Sequence, residues 1–411
     1  MDQMDRKLET VNSFGIKSMS RIVLWGALLC LLAPPSPALA QQQPAKPDVG
    51  EKTIESKFLT DARQMTHDGL RAGEGYYNSD GTLMVFQSER LAENPFYQIY
   101  LLDMETADLE TISPGHGKTT CAWIHPRDNN QVMFSSTHHD PSSRQQQRDM
   151  LEKREQGKAP RYSWDYDHEY EIYRFDRDSK TYTRLTNVKG YDAEGSYSPD
   201  GSLIAFASNR NAYSQPMSEE DAKLFELDKS FMMEIYIMNA DGTNVRQLTT
   251  TPGYDGGPFF SPDGKRICWR RFSKDGETAE IMTMNIDGSD QKQITRMGRM
   301  SWAPYYHPSG KYIIFNTNLH GFSNFELYLI DVEGKSQPVR VTDTDGFDGL
   351  ASWTPDGTQL TWCSTRHHTD GKKGQIYQAQ WNHANALRAL GIGQESPAET
   401  CLLYTSDAAD E

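Results

Sequence analysis

Ser198-Pro199-Asp200-Gly201 runs straight into Ser202-Leu203-Ile204-Ala205-Phe206-Ala207-Ser208, and the recurrence of this stretch along the chain decides the fold. Proline presets φ and glycine supplies a left-handed position, so Pro-Asp-Gly closes a tight hairpin turn. The mainly apolar run after it suits a buried inner strand. Further on, Glu234-Ile235-Tyr236-Ile237-Met238-Asn239 alternates, with one face packed and the other more polar. Ala240-Asp241-Gly242-Thr243 is a turn, and Asn244-Val245-Arg246-Gln247-Leu248-Thr249 reads as an outer strand.

The same unit is anchored at Ser79-Asp80-Gly81, His125-Pro126, Ser261-Pro262-Asp263-Gly264, His307-Pro308-Ser309-Gly310 and Thr354-Pro355-Asp356-Gly357. The spacing is about 47 residues, except in two steps lengthened by insertions, and β-rich units at that period signify a β-propeller with one four-stranded blade per repeat. The sixth copy ends at Gln375-Ile376-Tyr377-Gln378-Ala379-Gln380-Trp381 with no outer strand after it. Ala62-Arg63-Gln64-Met65-Thr66 carries the outer-strand signature of Val245-Arg246-Gln247-Leu248-Thr249, so the N-terminal strand is expected to complete the last blade and remove an open edge. The expectation is an all-β, six-bladed β-propeller over residues 55–382, closed by an N-terminal strand.

Met19-Ser20-Arg21 leads into an apolar run at 22–33, and Ala38-Leu39-Ala40 gives a small-x-small cleavage site. Residues 1–40 read as a secretory signal peptide, with Met19 the candidate true start, and the run is too short to span a membrane. Leu29 precedes Cys30, where lipid attachment needs a small residue. Residues 41–54 are a leader. Residues 383–400 read as a helix and linker toward a further domain, and 401–411 as the translation of a sequencing adapter. The expected location is periplasmic or secreted. Of the 5 cysteines, Cys121, Cys268 and Cys363 fall on strands of repeats two, four and six, which points to buried free thiols. A formal charge of −15 argues against a nucleic-acid partner.

The repeats resemble the WD-like repeats of the TolB family, written Ser-Pro-Asp-Gly, Phe-x-Ser-x-Arg, Ile-Tyr-x-Met-Asn, Asp-Gly and Arg-Gln-Leu-Thr. Ala205-Phe206-Ala207-Ser208-Asn209-Arg210 and residues 235–249 match that pattern closely. The resemblance covers nearly all the mature chain and implies the fold more strongly than any one function. It implies a periplasmic, Tol–Pal-like protein-binding role. The chain departs from TolB in leaving no room, between Gln41 and the first repeat, for the α/β domain that precedes the TolB propeller. Similar propellers also precede secreted peptidase domains, including zinc aminopeptidases.

Strand order puts the connectors between blades and the loops between second and third strands on one face. Both insertions lie there. Residues 140–168 carry a charged stretch and then Tyr162-Ser163-Trp164-Asp165-Tyr166, and residues 211–231 carry Ser218-Glu219-Glu220-Asp221, a capping box opening a short helix. Trp164 and Tyr166 are candidate binding residues on this raised face. The connectors Gly190-Tyr191-Asp192, Gly253-Tyr254-Asp255 and Gly346-Phe347-Asp348 repeat. Their aspartates could bind a cation or a ligand amine near the channel mouth, or accept hydrogen bonds within their own turns. Arg90, Arg210 and Arg366 hold the Ser-x-Arg position on the same face, each able to pair with a carboxylate.

His138-His139 and His367-His368 occupy equivalent places in repeats two and six. Adjacent histidines on a loop do not readily face one metal, so they are weak candidate ligands. Asp165-x-Asp167-x-Glu169 and Asp343-x-Asp345 lack the rest of a calcium loop. His168-Glu169 lacks the second histidine of a zinc-protease helix, because Ile172 stands there. No Gly-x-Ser-x-Gly elbow, phosphate loop or catalytic set can be assembled, and no cofactor is expected. The sequence is thus read as an exported, monomeric, non-enzymatic propeller that binds a protein or peptide in the cell envelope. The alternative is the N-terminal propeller of a longer secreted hydrolase. Propeller-borne lyase or lactonase chemistry is a third reading.

Overall fold

The structure, a computed structural model, describes residues 53–158, 164–367 and 373–393. The signal-peptide and adapter assignments lie outside these residues. No helix among them is long and apolar enough to cross a membrane. A 3-10 turn at Glu55–Lys57 leads into β1 (Leu59–Gln64). The first repeat is β2 (Arg71–Tyr77), β3 (Leu83–Glu89), β4 (Gln98–Asp103) and β5 (Leu109–Thr111), and the second is β6 (Thr119–His125), β7 (Asp128–Ser136), β8 (Glu171–Asp176) and β9 (Thr181–Arg184). Next come β10 (Asp192–Tyr197), β11 (Leu203–Ser208), β12 (Met232–Asn239) and β13 (Arg246–Gln247), then β14 (Gly253–Phe260), β15 (Arg266–Phe272), β16 (Ala279–Asn285) and β17 (Lys292–Gln293). The fifth repeat is β18 (Ser301–Tyr306), β19 (Tyr312–Thr317), β20 (Glu326–Asp331) and β21 (Val339–Arg340). The sixth is β22 (Asp348–Trp353), β23 (Gln359–Ser364) and β24 (Gln375–Trp381).

The architecture is an all-β propeller, but its hydrogen bonding differs from six separate blades. Four sheets have four strands each, and β10 to β17 form one eight-stranded sheet. The weld is a short parallel ladder, Met232 to Gly253 and Met233 to Tyr254. Its cause is general to the fold: the chain entering each repeat runs beside the chain entering the third strand of the repeat before. Elsewhere the same approach leaves isolated bridges or a few backbone hydrogen bonds, such as Asp192 N–H to the Tyr170 carbonyl at 3.1 Å and Phe325 N–H to the Gly346 carbonyl at 2.9 Å, and no continuous ladder. At β12 the third strand starts early enough for two successive pairs, and the sheet becomes continuous.

β1 pairs antiparallel with β24, so the N-terminal strand is the outer strand of the sixth repeat. A side-chain device marks its fit. In repeat three, Thr249 Oγ donates to Glu234 at 2.5 Å and accepts from Ile235 N–H at 2.9 Å. In repeat four Thr295 does the same with Glu280 and Ile281. In repeat six Thr66, following β1, donates to Gln375 at 2.7 Å and accepts from Ile376 N–H at 2.9 Å. Each hydroxyl satisfies two buried polar groups at once, which their burial requires.

The core lies between faces of successive sheets, where Trp269 and Trp362 are fully buried. Each first strand carries a β-bulge. Register shifts between Gly73 and Tyr76, Thr120 and Trp123, Ala193 and Ser196, Gly256 and Phe259, Trp302 and Tyr305, and Gly349 and Ser352. The bulge residues Glu74, Cys121, Glu194, Gly257, Ala303 and Leu350 all have φ between 45° and 61°. The extra residue breaks the alternation of the strand and re-aims its side chain. This places the functional groups described next.

Candidate binding face

Two residues past each bulge, Tyr76, Trp123, Phe259 and Tyr305 come from four different first strands and meet one another. Ring centroids are 4.7 Å apart for Tyr76 and Trp123, 5.6 Å for Tyr76 and Phe259, and 5.2 Å for Phe259 and Tyr305. Strands from non-adjacent repeats therefore converge on one axis, and their aromatic rings plug it. Ser196 and Ser352 take the corresponding place in repeats three and six and donate to the carbonyls of Pro258 and Gly75 at 2.7 and 2.6 Å, tying each strand to the next.

On the connector side of this plug lies a polar layer. Arg270 donates to both Glu194 oxygens at 3.2 and 3.0 Å, and the Tyr254 hydroxyl bonds to Glu194 and to Arg270. Gly257 N–H donates to the same carboxylate at 2.6 Å. A Cβ on Gly257, with φ +61°, would stand 2.3 Å from Arg270 Nη1, and one on Gly256 would stand 2.4 Å from the Tyr254 ring. The glycine pair is what admits the guanidinium. Across the axis, burial pushes the Glu74 carboxyl up to about 7; the Cys121 thiol hydrogen-bonds to it and lowers it somewhat, and Glu194 raises it further. Burial also pushes the Cys121 thiol well up. Cys121, Cys268 and Cys363 are free; Cys268 and Cys363 are buried, and Cys121, at its bulge, is half-buried.

The three connector aspartates are not open at a channel mouth, and they do not chiefly cap their own turns. Asp192, Asp255 and Asp348 are all buried, and each faces an arginine from the adjacent strand or its end. Arg210 Nη2 meets Asp192 at 2.5 Å, Arg271 Nη2 meets Asp255 at 2.6 Å, and Arg366 Nη2 meets Asp348 at 3.1 Å. Burial opposes the Arg271 and Arg366 charges, and the paired carboxylates more than offset it, holding both guanidinium groups above their ordinary range. Arg210 and Arg366 are thereby structural partners of the aspartates. Arg366 also takes Glu55 in a two-pronged bond at 2.8 and 3.2 Å.

The insertions fold as a helix α1 (Ser143–Glu155), a turn of helix α2 (Asn211–Ser214) and α3 (Glu219–Leu227). Ser218 caps α3 by accepting from Asp221 N–H at 3.0 Å. Trp164 donates from its indole to the Tyr191 hydroxyl at 2.9 Å, and Tyr166 packs edge-on against Tyr191 and Tyr254. Lys118 holds the loop by donating to Asp165 at 2.5 Å and Asp167 at 2.7 Å. The aspartates read as a calcium fragment are thus ligands of an ammonium. His138 packs on Tyr173, and burial pushes its imidazole down to about 4, with His116 adding to the shift. His139 approaches Glu169 at 3.3 Å, and His367 lies beside the Tyr377 ring. His368 lies outside the described residues. Among the described residues no three His, Cys, Asp or Glu side chains gather as a metal site.

A family model described as the TolB β-propeller domain (PD40) matches residues 218–322 and 272–407. The chain carries TolB-like propeller repeats. An uncharacterized protein of Agrobacterium fabrum, Atu1656, is 29% identical to this TolB-like chain over 119 residues, 29% of the chain; the match spans 34% of that curated relative, about a third of its length. Among solved structures, a gluconolactonase from Xanthomonas campestris aligns with TM-score 0.50 at 11% identity, covering 80% of this chain and 92% of that one, a likeness of fold alone. A protein described as putative TolB from Agrobacterium tumefaciens aligns with TM-score 0.49 at 19% identity, covering 76% and 90%. TolB from Acinetobacter baumannii aligns with TM-score 0.48 at 17% identity, covering 76% and 64%. The axial groups Glu74, Glu194 and Arg270 of the TolB-like propeller escaped the sequence reading. The shared Glu-Gly at Glu74-Gly75 and Glu194-Gly195, at one register in repeats one and three, was the available signal.

Proposed function

We propose that this TolB-like propeller is an exported, non-enzymatic module that binds a protein or peptide partner in the cell envelope, using the face that carries its connectors and insertions. The observation that carries the reading is where exposed apolar side chains collect. Among the described residues five of the eight exposed large apolar side chains lie on that face: Leu70 and Val188 in connectors, Leu227 at the end of α3, and Leu319 and Phe322 in the loop between β19 and β20. Leu109, Tyr182 and Val245 lie in or beside outer strands, and Leu227 and Phe322 are the most exposed at 77% and 63%. Apolar groups gathered among polar insertions fit a docking surface. The aromatic plug gives that surface a closed floor. With its eight-stranded sheet counted as two welded repeats, the ring is six-bladed over residues 55–382. Residues 1–40 act as the export signal; the helix at His383–Ala389 packs back on the ring, with Ala386 and Leu390 buried beside Trp381.

The test is capture of envelope proteins by the purified chain, with Leu227→Asp/Phe322→Asp as the comparison. The reading expects one or a few saturable partners whose retention falls at least about tenfold in the double variant, with the melting temperature unchanged. Partners retained equally by both forms would overturn the assignment of the face. Turnover of a captured peptide would favour the hydrolase alternative instead.

A further inference from the structure

Asp and Arg are coupled along the repeats, and the coupling fails once. The strand registers pair Ala72 with Ser88, Asp192 with Ser208, Asp255 with Arg271, Ser301 with Thr317 and Asp348 with Ser364, which aligns the connector position across repeats. Repeats three, four and six have both the aspartate and an arginine. Repeats two and five have neither, with Thr119 and Ser301 at the acid position and His138 and Leu319 at the Ser-x-Arg position. The first repeat keeps Arg90 but has Ala72 where the acid stands.

Arg90 nevertheless sits in the pose of its paired counterparts. Its Nε donates to Ser88 Oγ at 3.2 Å, as Arg210 does to Ser208 at 3.2 Å and Arg366 to Ser364 at 3.0 Å. Its guanidinium lies over Phe86 and Tyr100 at 5.4 and 4.6 Å, as Arg210 lies over Phe206 and Tyr236 and Arg366 over Trp362 and Tyr377. What differs is the bonded carboxylate: burial holds the Arg90 guanidinium below its ordinary range, and Asp68 of the connector attracts it without a hydrogen bond or ion pair and does not outweigh that burial. The neighbouring Glu89 cannot serve, because its oxygens are taken by Arg71 at 3.0 Å and by Arg154 of α1.

The unclaimed edge of Arg90 faces a groove of about 280 Å³ on the connector face, walled by Leu70, Leu91, Pro95, Leu151 and Arg154. Arg71, Arg90 and Arg154 stand here with Glu89 and Asp68, a local excess of one positive charge on a chain of charge −15. Repeat six shows what fits such a fork. There the 3-10 turn at Glu55–Lys57 crosses the face and Glu55 lays both oxygens on Arg366.

We propose that Arg90 and its groove form a docking site for a carboxylate carried on a turn of a partly apolar peptide, seated as Glu55 is seated on Arg366. A planar guanidinium prefers such two-pronged partners, and the apolar walls exclude competing water. This rests on the peptide-binding reading of the connector face and gives it a chemical specificity.

The test titrates the whole chain with three labelled peptides, followed by fluorescence anisotropy. Ac-Gly-Ile-Glu-Ser-Gly-amide presents a side-chain carboxylate, its Glu→Gln analogue presents none, and Ac-Gly-Gly-Ser-Ile with a free C-terminus presents a terminal one. Saturable binding of a carboxylate peptide is expected, with the Gln analogue at least about tenfold weaker. Arg90→Gln should remove that difference. Ala72→Asp should melt no lower than the parent and bind the carboxylate peptide more weakly but still detectably, because Arg366 takes Glu55 with Asp348 already in place. Whichever carboxylate peptide binds more tightly identifies the source. A Gln peptide that binds as tightly as the better carboxylate peptide, no binding of either carboxylate peptide at millimolar concentration, or full binding by Arg90→Gln would overturn the site. Partner capture lost in Leu227→Asp/Phe322→Asp but kept in Arg90→Gln would leave the broader reading standing.

Discussion

At the scale of single residues, burial and pairing compete, and the outcome sets what each carboxylate can do. Glu74 is lifted to about 7, Glu171 to about 7 and Glu234 to about 8, each chiefly by burial. An acid whose pKa is raised on folding favours the native state while protonated, and that advantage is lost as pH rises from the unfolded value toward the folded one. Stability should therefore fall between about pH 5 and 8 and then level off. Glu74→Gln should remove up to about 3 kcal/mol of that slope. Thermal melts of both forms from pH 5 to 8.5 check this, and identical slopes would refute it. Burial raises the Asp192 carboxyl too, with Arg210 countering it only in part, yet the arginine depends on that partner. Asp192→Ala strands a buried guanidinium and is expected to cost about 3–5 kcal/mol, most of it recovered by adding Arg210→Met. Urea denaturation of the single and double variants measures the coupling.

At the scale of elements, the ring depends on a strand supplied from far away in sequence. β1 covers the edge of β24, and Thr66 satisfies Gln375 and the Ile376 N–H. Thr66→Val keeps the shape and removes both bonds, so a loss of about 1–3 kcal/mol is expected. Deleting residues 53–66 should do more, exposing a full strand edge and giving concentration-dependent association. Size-exclusion chromatography of the truncated chain tests this, and a monodisperse monomer would show that the edge is protected some other way. This closure was legible in the sequence because Arg63-Gln64-Met65-Thr66 repeats a motif whose threonine has a fixed job. The eight-stranded sheet was not legible, because one extra backbone pair leaves no trace in side-chain pattern.

At the scale of the whole molecule, the axis is held by aromatic rings from four repeats that are not all neighbours. Tyr76 touches Trp123, Phe259 and Tyr305. Tyr76→Ala should cost about 3–5 kcal/mol. Adding Phe259→Ala should cost less than the sum of the two singles, since the rings share contacts. Strict additivity in denaturant melts would mean that the rings do not pack as one unit. The plug also divides the molecule into two faces, so ligands arriving on the connector side meet Glu74, Glu194 and Arg270 as a floor.

What the sequence by itself determined is everything local: the Pro-Asp-Gly turns, the strand pattern they punctuate, the capping of α3 by Ser218, and the N-terminal copy of the outer strand. Each follows from residues close together in the chain, whose backbone preferences act without help from elsewhere. What only the tertiary structure decided is which way the side chains of the first strands face. Period-two reading assumes an unbroken strand, and the bulges at Glu74, Cys121 and Glu194 break it, turning those side chains to the axis while Asp192 is buried against Arg210. Arg90 shows the same limit. Its residue type was visible, but the lack of a bonded connector acid emerges only when register sets Ala72 opposite Ser88 in the place that Asp192 holds opposite Ser208.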